Sequence, residues 1–411
     1  MLRVIDASSA DAVRLIERRV TRDPALRRRV RVIVDTVRRR GDAALVRYAR
    51  RFDCLEGDIE IPIEHARRLA AAVPVEVRRA VAACARHIRR VARAQLPRPG
   101  RVTVAPGVVI EHVVTPLGRV GCYVPGGRFP LASSLLMTAL PAQVAGVPEI
   151  VAACPRIDAV VAAAAVEAGV SRLFRMGGAQ AIAALAYGTA RVPRVDRIVG
   201  PGNRYVAAAK SIVAPDCPID FEAGPTELVW ATRDARPEWV ARDLIAQAEH
   251  DPDARAFLVT TSPREAEAVR EHLVRLAPAS GVAATALALH GAALVARSRG
   301  EVLDVVNRLA PEHLATDDEW LVAQRPAAGT IFVGGFAAPA AGDYATGSNH
   351  VLPTAGAARF RGGLSAADFV RVVAVQRVSR PGLARLAGPA VTMARVEGLT
   401  AHAASIEARV R

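Results

Sequence analysis

Two side chains that could bind a metal ion, Gln247 and His250, lie three residues apart in a segment with the pattern of an amphipathic helix. Residues i and i+3 share a helix face, so a helix from Pro237 to Asp251 would present an amide oxygen and an imidazole nitrogen together. The alternative is a solvated helix face whose histidine, near the C-terminal end, interacts with the helix dipole. The pair supplies only half of a metal site, so other ligands must come from elsewhere.

Residues later in the chain could complete such a site. Asp343 and His350 lie in a polar, glycine-flanked loop predicted for 342–350, and His402 lies on or beside the last helix. A zinc ion bound by two histidines, an aspartate and a glutamine oxygen can keep room for a substrate, unlike a closed thiolate site. Each residue also has an ordinary explanation, since Asp343 could cap a turn and His402 could be a surface residue.

Glu312 and His313 are adjacent and follow a predicted helix, so we expect them in a loop. A neighbouring carboxylate and imidazole can serve two proton transfers, with the histidine as a base near neutral pH and the glutamate as its partner. Because Glu-His pairs are common in sequences, the pair alone is weak evidence for catalysis.

Three glycine-containing loops are each predicted between a strand and the following helix. Glycine lets the backbone approach a phosphate, and the helix N-terminus behind it adds partial positive charge. None of the loops has the Gly-x-Gly-x-x-Gly pattern, so tight turns without a ligand are the alternative. Together they favour a nucleotide bound in a non-standard way, with Tyr123, Gln180 and Asn203 as polar contacts. The loops span Tyr123–Arg128, Met176–Gln180 and Val199–Asn203.

The charge of the chain comes almost entirely from arginine. The 411 residues carry a net charge of +15, and Lys210 is the only lysine among 55 basic residues. The arginines are spread along predicted helices, and aromatic residues, at 4%, do not interleave with them to stack bases. A basic nucleic-acid-binding protein without catalysis is therefore only a remote alternative, and we expect no nucleic-acid partner.

Composition also indicates the compartment. No apolar run reaches the length of a membrane span, and the N-terminus lacks a signal-peptide core. Five cysteines occur singly, without a Cys-x-x-Cys pair, which favours a reduced compartment. The sequence therefore predicts a cytoplasmic, globular protein that does not associate with membranes.

The elements that must position these residues alternate between short apolar strands and helices, which is typical of parallel sheets with crossover helices. We predict two Rossmann-like α/β domains with parallel sheets, plus small helical N-terminal and C-terminal segments. Residues 100–227 form the first α/β domain. Residues 21–99 are helical and pack with 228–360 as the second. The terminal segments are 1–20 and 361–411, the latter with helices split around Pro381 and Pro389.

Eight motifs between about Arg119 and His402 occur in the order found in the histidinol dehydrogenase family, which the chain resembles. Any one is a short string, but eight in order exclude chance. The motifs are Gly121–Gly127, Gly177–Gly188, Asp196–Asn203, Ala223–Glu227, Gln247–Asp253, Ala310–Leu314, Gly342–Pro353 and Leu399–His402.

The resemblance implies a zinc-dependent dehydrogenase with one zinc ion per subunit, which oxidises L-histidinol through L-histidinal to L-histidine with two NAD⁺. These are the last steps of histidine biosynthesis. It also implies a homodimer in which the segment 361–411 contributes to the active site of the partner subunit, and it makes 100–227 the NAD-binding domain.

Residue roles carry over from the matching motif positions. The implied acid–base pair is Glu312 and His313. The implied zinc ligands are Gln247, His250, Asp343 and His402, the last supplied by the other subunit. The implied substrate contacts are Thr226, Gln247, His250, His313, Asp343, His350, Glu397 and His402. The implied NAD contacts are Tyr123, Gln180 and Asn203.

Two departures from the family pattern keep a second function open. Thr226 stands where the family often has serine, and Arg128 and Phe129 stand where small residues are common. A related zinc- and NAD-dependent dehydrogenase of another small polar alcohol, such as a sulfonated diol, is the alternative. Glu397 and His350 suit a substrate with an amine and an imidazole, and so favour histidinol.

Overall fold

The computed structural model of the protein describes residues 2–17, 23–126, 131–222 and 224–410. The strands in these residues are β1 (Arg3–Asp6), β2 (Glu60–Ile61), β3 (Gly100–Ala105), β4 (Val108–Pro116), β5 (Arg119–Tyr123), β6 (Glu149–Ala153), β7 (Arg172–Phe174), β8 (Arg197–Val199), β9 (Glu227–Thr232), β10 (Arg255–Thr260), β11 (Ala292–Val295), β12 (His313–Thr316), β13 (Thr330–Val333) and β14 (Val370–Val378).

The α-helices in the same residues are α1 (Ala10–Ile16), α2 (Pro24–Arg40), α3 (Asp42–Phe52), α4 (Ile63–Ala71), α5 (Val75–Gln95), α6 (Ala132–Val144), α7 (Ala159–Glu167), α8 (Gly178–Tyr187), α9 (Arg204–Val213), α10 (Pro237–Ala248), α11 (Pro263–Leu276), α12 (Val282–His290), α13 (Arg299–Leu309), α14 (Glu319–Ala323), α15 (Pro339–Tyr344), α16 (Arg380–Val396) and α17 (Thr400–Val410). Short 3₁₀ turns occur at Ala357–Arg359 and Ala366–Phe369.

The first parallel sheet has the strand order β2-β7-β6-β5-β8 among the described residues. Only the edge strand β2 is antiparallel to its neighbour. One face packs against α2, α3, α8 and α9, and the other against α4, α5, α6 and α7. Since helices cover both faces, the strands are apolar throughout rather than alternating.

The second parallel sheet has the order β1-β11-β10-β9-β12-β13, and every pairing that the structure describes in it is parallel. Its central strand β9 is buried along its whole length. Helices α10, α11 and α12 cover one face, and α1, α13 and α14 cover the other. The predicted fold class, two α/β units with parallel sheets, is confirmed.

The helices before residue 96 pack differently from the prediction, which joined residues 21–99 to residues 228–360. Helix α2 packs against α8 and α9, and α4 and α5 pack against α6 and α7 of the first sheet. The apolar stripe of α2, which includes Val30, Val34 and Val37, is buried in the core of that sheet. Helical periodicity reveals such a stripe but not the surface that it meets.

Both terminal segments contain strands that local pattern did not predict. β1, in the segment predicted as helical, forms the edge of the second sheet beside β11. β14 pairs antiparallel with β4, which also pairs with β3. α16 then begins with Pro381 in its first turn and continues through Pro389, so the predicted split of the tail at these prolines is wrong. A proline is tolerated in a first turn, where its missing N–H is not needed. No helix in the described parts of the chain is long and apolar enough to cross a membrane.

Candidate active site

Helix α10 brings Gln247 to the amino edge of the second sheet, beside Thr226. The helix ends earlier than predicted. Its last residue is Ala248, so Gln247 lies in the final turn and His250 lies two residues beyond it. The predicted helix to Asp251 is wrong because Pro252 disfavours helical backbone at the residue before it. Gln247 is buried and His250 is exposed.

A chain of hydrogen bonds connects Gln247 to Glu312. The Gln247 Nε2 atom donates to Thr226 Oγ1, and that hydroxyl donates to Glu312 Oε2. The backbone N–H of Glu227 donates to the same carboxylate oxygen at 3.0 Å. Thr226 and Glu312 immediately precede the neighbouring parallel strands β9 and β12. The chain therefore runs along the amino edge of the second sheet, where the end of α10 returns.

The Glu312 carboxyl group is adapted for proton transfer near neutral pH. Burial raises its pKa to about 7, although the bonds from Thr226 and Glu227 act in the opposite direction. A carboxyl group with such a pKa is present in both protonation states at neutral pH. It can therefore accept a proton in one step and return it in another.

His313 begins β12 and is buried, whereas a loop position was predicted. Its Nδ1 atom lies 3.3 Å from the backbone oxygen of Glu227. Since a carbonyl oxygen can only accept, Nδ1 carries the proton of the neutral ring. The Nε2 atom is buried and has no hydrogen-bond partner in the described parts of the chain. Burial lowers the His313 pKa, so Nε2 has a free lone pair at neutral pH.

Asp343 lies beside His313, in the short helix α15 rather than in the predicted loop. Its Oδ1 atom is 3.8 Å from His313 Nε2. Burial raises the pKa of Asp343, while the charges of His313 and His250 lower it. The charge of His250 also lowers the pKa of Glu312 and of His313.

His350 connects this cluster to the first sheet. Its Nδ1 atom lies 2.9 Å from the backbone oxygen of Asp343, and its Nε2 atom lies 3.4 Å from Ser134 Oγ. Ser134 lies in the first turn of α6, which follows the carboxyl end of β5. Desolvation lowers the His350 pKa to about 4, so the ring is neutral. Both nitrogens are engaged within the chain, so this histidine supports Asp343 and brings the two sheets together.

The donor atoms at this edge suit a metal ion of zinc type. With its amide nitrogen donating to Thr226, Gln247 keeps its oxygen as the potential ligand, and His250 and Asp343 supply a nitrogen and a carboxylate. Across the described residues, no group of three or more His, Cys, Asp or Glu side chains is arranged to hold a metal ion. Of the predicted zinc ligands, only His250 and Asp343 are His, Cys, Asp or Glu residues from the same chain, because Gln247 is an amide and His402 is expected from the other subunit.

Glu397 and His402 are not brought to this cluster within one chain. Glu397 caps the end of α16 and His402 lies on α17, and both side chains are exposed. Neither makes a hydrogen bond or ion pair with the other predicted site residues in the described parts of the chain. The two helices pack chiefly against each other, beside the sheet formed by β14, β4 and β3.

The predicted nucleotide contacts lie at the carboxyl edge of the first sheet, with Tyr123 at the end of β5, Gln180 in the first turn of α8 and Asn203 at the N-cap of α9. Tyr123 and Gln180 are buried, whereas Asn203 is exposed. The Tyr123 hydroxyl accepts from the N–H of Gly178 at 3.1 Å, and Asn203 Oδ1 caps α9 by accepting from two backbone N–H groups. In the chain itself these side chains fix the loops. The predicted departures Arg128 and Phe129 lie outside the described residues.

Sequence reasoning missed two carboxylates that shape these sites. Asp53, at the end of α3, accepts from Gly177 N and from Gln180 Nε2, both at 2.9 Å. Glu227 is buried, and its backbone N–H contacts Glu312. Its carboxylate pairs with Arg255 at 3.0 Å. Burial raises the pKa of Glu227 to about 7. Glu227 ends one of the eight motifs, which was a signal for it. Asp53 had no local signal because it lies far from Gly177 in sequence.

The chain is similar over nearly its whole length to proteins of one family. A family model described as "Histidinol dehydrogenase" matches residues 16–410. The histidinol dehydrogenase of Pseudomonas aeruginosa is 43% identical over 404 residues, which cover 94% of this chain and 92% of the relative. That of Halobacterium salinarum is 44% identical over 418 residues, which cover 99% of this chain and 98% of the relative. The crystal structure of histidinol dehydrogenase from Elizabethkingia anophelis matches with a TM-score of 0.94 and 31% identity, covering 100% of this chain and 98% of that chain.

Proposed function

Because the chain belongs to the histidinol dehydrogenase family, we propose that it oxidises L-histidinol to L-histidine through L-histidinal in two NAD⁺-dependent steps. The observation that carries the proposal is the buried Nε2 atom of His313, which has no hydrogen-bond partner among the described residues, in a ring whose Nδ1 atom lies 3.8 Å from Glu312 Oε2. A neutral imidazole and a carboxyl group with a pKa of about 7 supply the base and the acid–base partner that an alcohol oxidation and an aldehyde hydration need.

His313 acts in both oxidation steps. In the first, its Nε2 atom takes the hydroxyl proton as the hydride leaves the alcohol carbon. Between the two oxidations, Glu312 takes a proton from the water that adds to the aldehyde, and protonated His313 returns its proton to the carbonyl oxygen. In the second oxidation, the neutral His313 takes the hydroxyl proton of the hydrate as the second hydride leaves. The backbone oxygen of Glu227 holds Nδ1–H throughout, which keeps Nε2 as the basic atom.

Zinc would be held by Gln247, His250 and Asp343 of one chain and by His402 of a second copy, with Thr226 orienting the Gln247 amide. When bound there, the ion would orient the imidazole and amine of the substrate and polarise the reacting oxygen. Glu397, a carboxylate, would pair with the cationic amine, and His350 would hold the Asp343 segment beside the substrate.

NAD⁺ would bind at the carboxyl edge of the first sheet, against Tyr123, Gln180 and Asn203, and would accept the hydride. The contact between His350 and Ser134 supports this arrangement, because it joins the amino edge of the second sheet to the helix that follows β5. A nicotinamide at one edge and an alcohol at the other would therefore face each other.

The deciding experiment is NADH formation by the purified protein with L-histidinol, before and after chelation and after zinc is restored. We expect two NADH per histidinol, loss of activity with the chelator, and recovery with zinc. A sulfonated diol assayed in parallel separates the alternative substrate. Turnover of the diol without turnover of histidinol would contradict the proposal.

The shared site can be tested with two inactive variants, Gln247→Ala and His402→Asn. Each variant alone loses activity, because every site in its dimer lacks one zinc ligand. Mixed dimers contain one site with both changes and one unaltered site. Activity should therefore reappear when the two are unfolded and refolded together. If mixing restores nothing although mixed dimers form, His402 does not come from the partner.

A further inference from the structure

The only lysine of the chain, Lys210, lies in a buried ion pair behind one of the glycine loops. Its Nζ atom donates to the backbone oxygen of Gly200 at 2.8 Å and to Asp220 Oδ1. The other carboxylate oxygen of Asp220 accepts from the backbone N–H of Gly200 at 2.8 Å. The pair therefore binds both backbone polar groups of Gly200, the N–H and the carbonyl oxygen. The side chains of Lys210 and Asp220 are only 2% and 0% exposed.

Gly200 is the point at which the loop after β8 turns. Its φ is +120°, a backbone conformation that favours glycine, and a Cβ atom there would overlap the backbone oxygen of Tyr123. The loop therefore has little freedom on the side of β5. Lys210, in the last turn of α9, and Asp220, in the segment after that helix, hold the backbone of Gly200 through hydrogen bonds.

The residue type at position 210 fits this task. An ammonium group is a compact charge that can donate to a carbonyl oxygen and a carboxylate in different directions, whereas a guanidinium is planar and larger. Every other basic residue of the chain apart from histidine is arginine, so the single exception coincides with a fully buried position. The exposed arginines on the helices have no such constraint.

We propose that Lys210 and Asp220 are positioning residues for the dinucleotide, holding the 199–203 backbone in the shape that receives it. This rests on the proposed binding of NAD⁺ at the carboxyl edge of the first sheet. Neither side chain touches the dinucleotide. Both act through Gly200 and through the orientation of α9, whose first backbone N–H groups are capped by Asn203.

The test compares Lys210→Met, Asp220→Asn, the double variant and Lys210→Arg in the full-length protein. Removing one charge of a buried pair leaves the other uncompensated and destabilises the fold, whereas removing both largely relieves that penalty. Thermal stability should therefore fall in the single variants and recover in the double variant. NADH affinity, measured by fluorescence titration, should stay weakened in all four, by roughly tenfold to a hundredfold, because the grip on Gly200 is not restored.

Kinetics and zinc content make the test specific. The KM for NAD⁺ should rise in the four variants, with kcat at saturating NAD⁺, the KM for histidinol and zinc content close to those of the wild type. Arg89→Met is the matched control, because Arg89 pairs with Glu167 at 2.6 Å elsewhere in the same α/β unit. It should lower stability without changing NADH affinity.

Recovery of wild-type NADH affinity in the double variant, together with stability, would overturn the inference, because the pair would then be purely structural. Wild-type affinity in Lys210→Arg would also overturn it. A wild-type protein that does not bind NADH would instead contradict the proposed function, and this inference with it.

Discussion

The two parallel sheets of the molecule carry their candidate functional residues at opposite edges. In the first sheet, the glycine loops follow the carboxyl ends of β5, β7 and β8. In the second, Thr226, Glu312 and His313 lie at the amino ends of β9 and β12. Ligands of open α/β sheets usually bind at the carboxyl edge. The second sheet departs from that rule because α10 carries Gln247 back to the amino edge.

At the carboxyl edge of the second sheet, the polar side chains form hydrogen bonds with one another. Thr232 Oγ1, at the end of β9, lies 3.0 Å from Glu265 Oε1 and 2.9 Å from Asp317 Oδ2. Asp317 also accepts from the backbone N–H groups of Arg233 and Asp234, both at 3.0 Å. The polar groups that could meet a ligand are thus used internally. Strand direction alone does not tell which edge of a sheet is functional.

The strongest test of the amino edge is His313→Asn. We expect kcat with histidinol to fall by roughly 10²- to 10⁴-fold, because the base that takes the hydroxyl proton is lost. Zinc content should not change, since His313 Nε2 makes no hydrogen bond with the proposed zinc ligands in the described parts of the chain. NADH affinity should not change either, since the ring makes no hydrogen bond with the glycine loops there. His65→Asn, at an exposed position, is the control. Full activity of His313→Asn would remove the assigned base.

The carboxyl edge of the first sheet can be tested with Gly200→Ala. The added Cβ meets the Tyr123 backbone oxygen at a φ of +120°, so the loop must shift. We expect the KM for NAD⁺ to rise by roughly 5- to 100-fold, as backbone strain of this kind implies. Gly281→Ala is a matched control, because its φ is +101° but nothing lies within 4 Å of the added atom. Gly281→Ala should lower stability without changing the KM for NAD⁺. An equal rise in the KM for NAD⁺ in Gly281→Ala would contradict the assignment of the 199–203 loop to NAD⁺ binding.

The two ends of one strand are compared by Thr232→Val and Thr226→Val. Loss of the Thr232 hydroxyl removes one hydrogen-bond partner from the Glu265 and Asp317 carboxylates, and should lower the free energy of unfolding by about 1–3 kcal/mol. Its kcat and KM should match the wild type. Thr226→Val should instead lower kcat, because the hydroxyl orients both Gln247 and Glu312. Denaturant unfolding and steady-state kinetics measure both, and a kinetic defect in Thr232→Val would mean that both edges are functional.

The smallest effect is expected in the pH dependence of stability. Burial raises the pKa of Glu265 above its ordinary value of 4.5. Its protonated form stabilises the fold fully below 4.5, and this contribution is lost as the pH rises through the raised pKa. Glu265→Gln cannot ionise, so its stability relative to the wild type should increase between pH 4.5 and pH 8. Urea midpoints across this range test it, and a constant difference would show that Glu265 does not titrate there.

The sequence predicted elements that are bounded by glycine or proline and carry a continuous apolar run. The bounds of β8, β9, α9 and α11 agree with the sequence pattern; Gly200 directly follows β8, and α11 begins at Pro263. β1, β11 and β14 were not predicted, since each owes its structure to a partner far away in sequence. Strand pairing at long range leaves little trace in a local window.

The candidate site shows the same limit. The residue types of Glu312 and His313 indicated proton transfer, but their position at the start of a buried strand depends on β9 lying beside β12. Asp53 and Ser134 reach the site only through contacts between distant elements. The roles proposed for the zinc, substrate and NAD⁺ contacts remain predictions for the experiments above.

The pairing of β1 with β11 bears on how the chain is made. Arg3 lies opposite Ala292, so β1 cannot join its sheet until residues 292–295 have been synthesised. At ordinary synthesis rates that delay is roughly 15–60 s. The strands of the first sheet and the α-helices that cover it lie between residues 24 and 213, although Val351, Leu364 and Phe369 also pack into its core. During synthesis the strands of the proposed dinucleotide edge are therefore complete first, while the edge with Glu312 and His313 waits for β12 and β13.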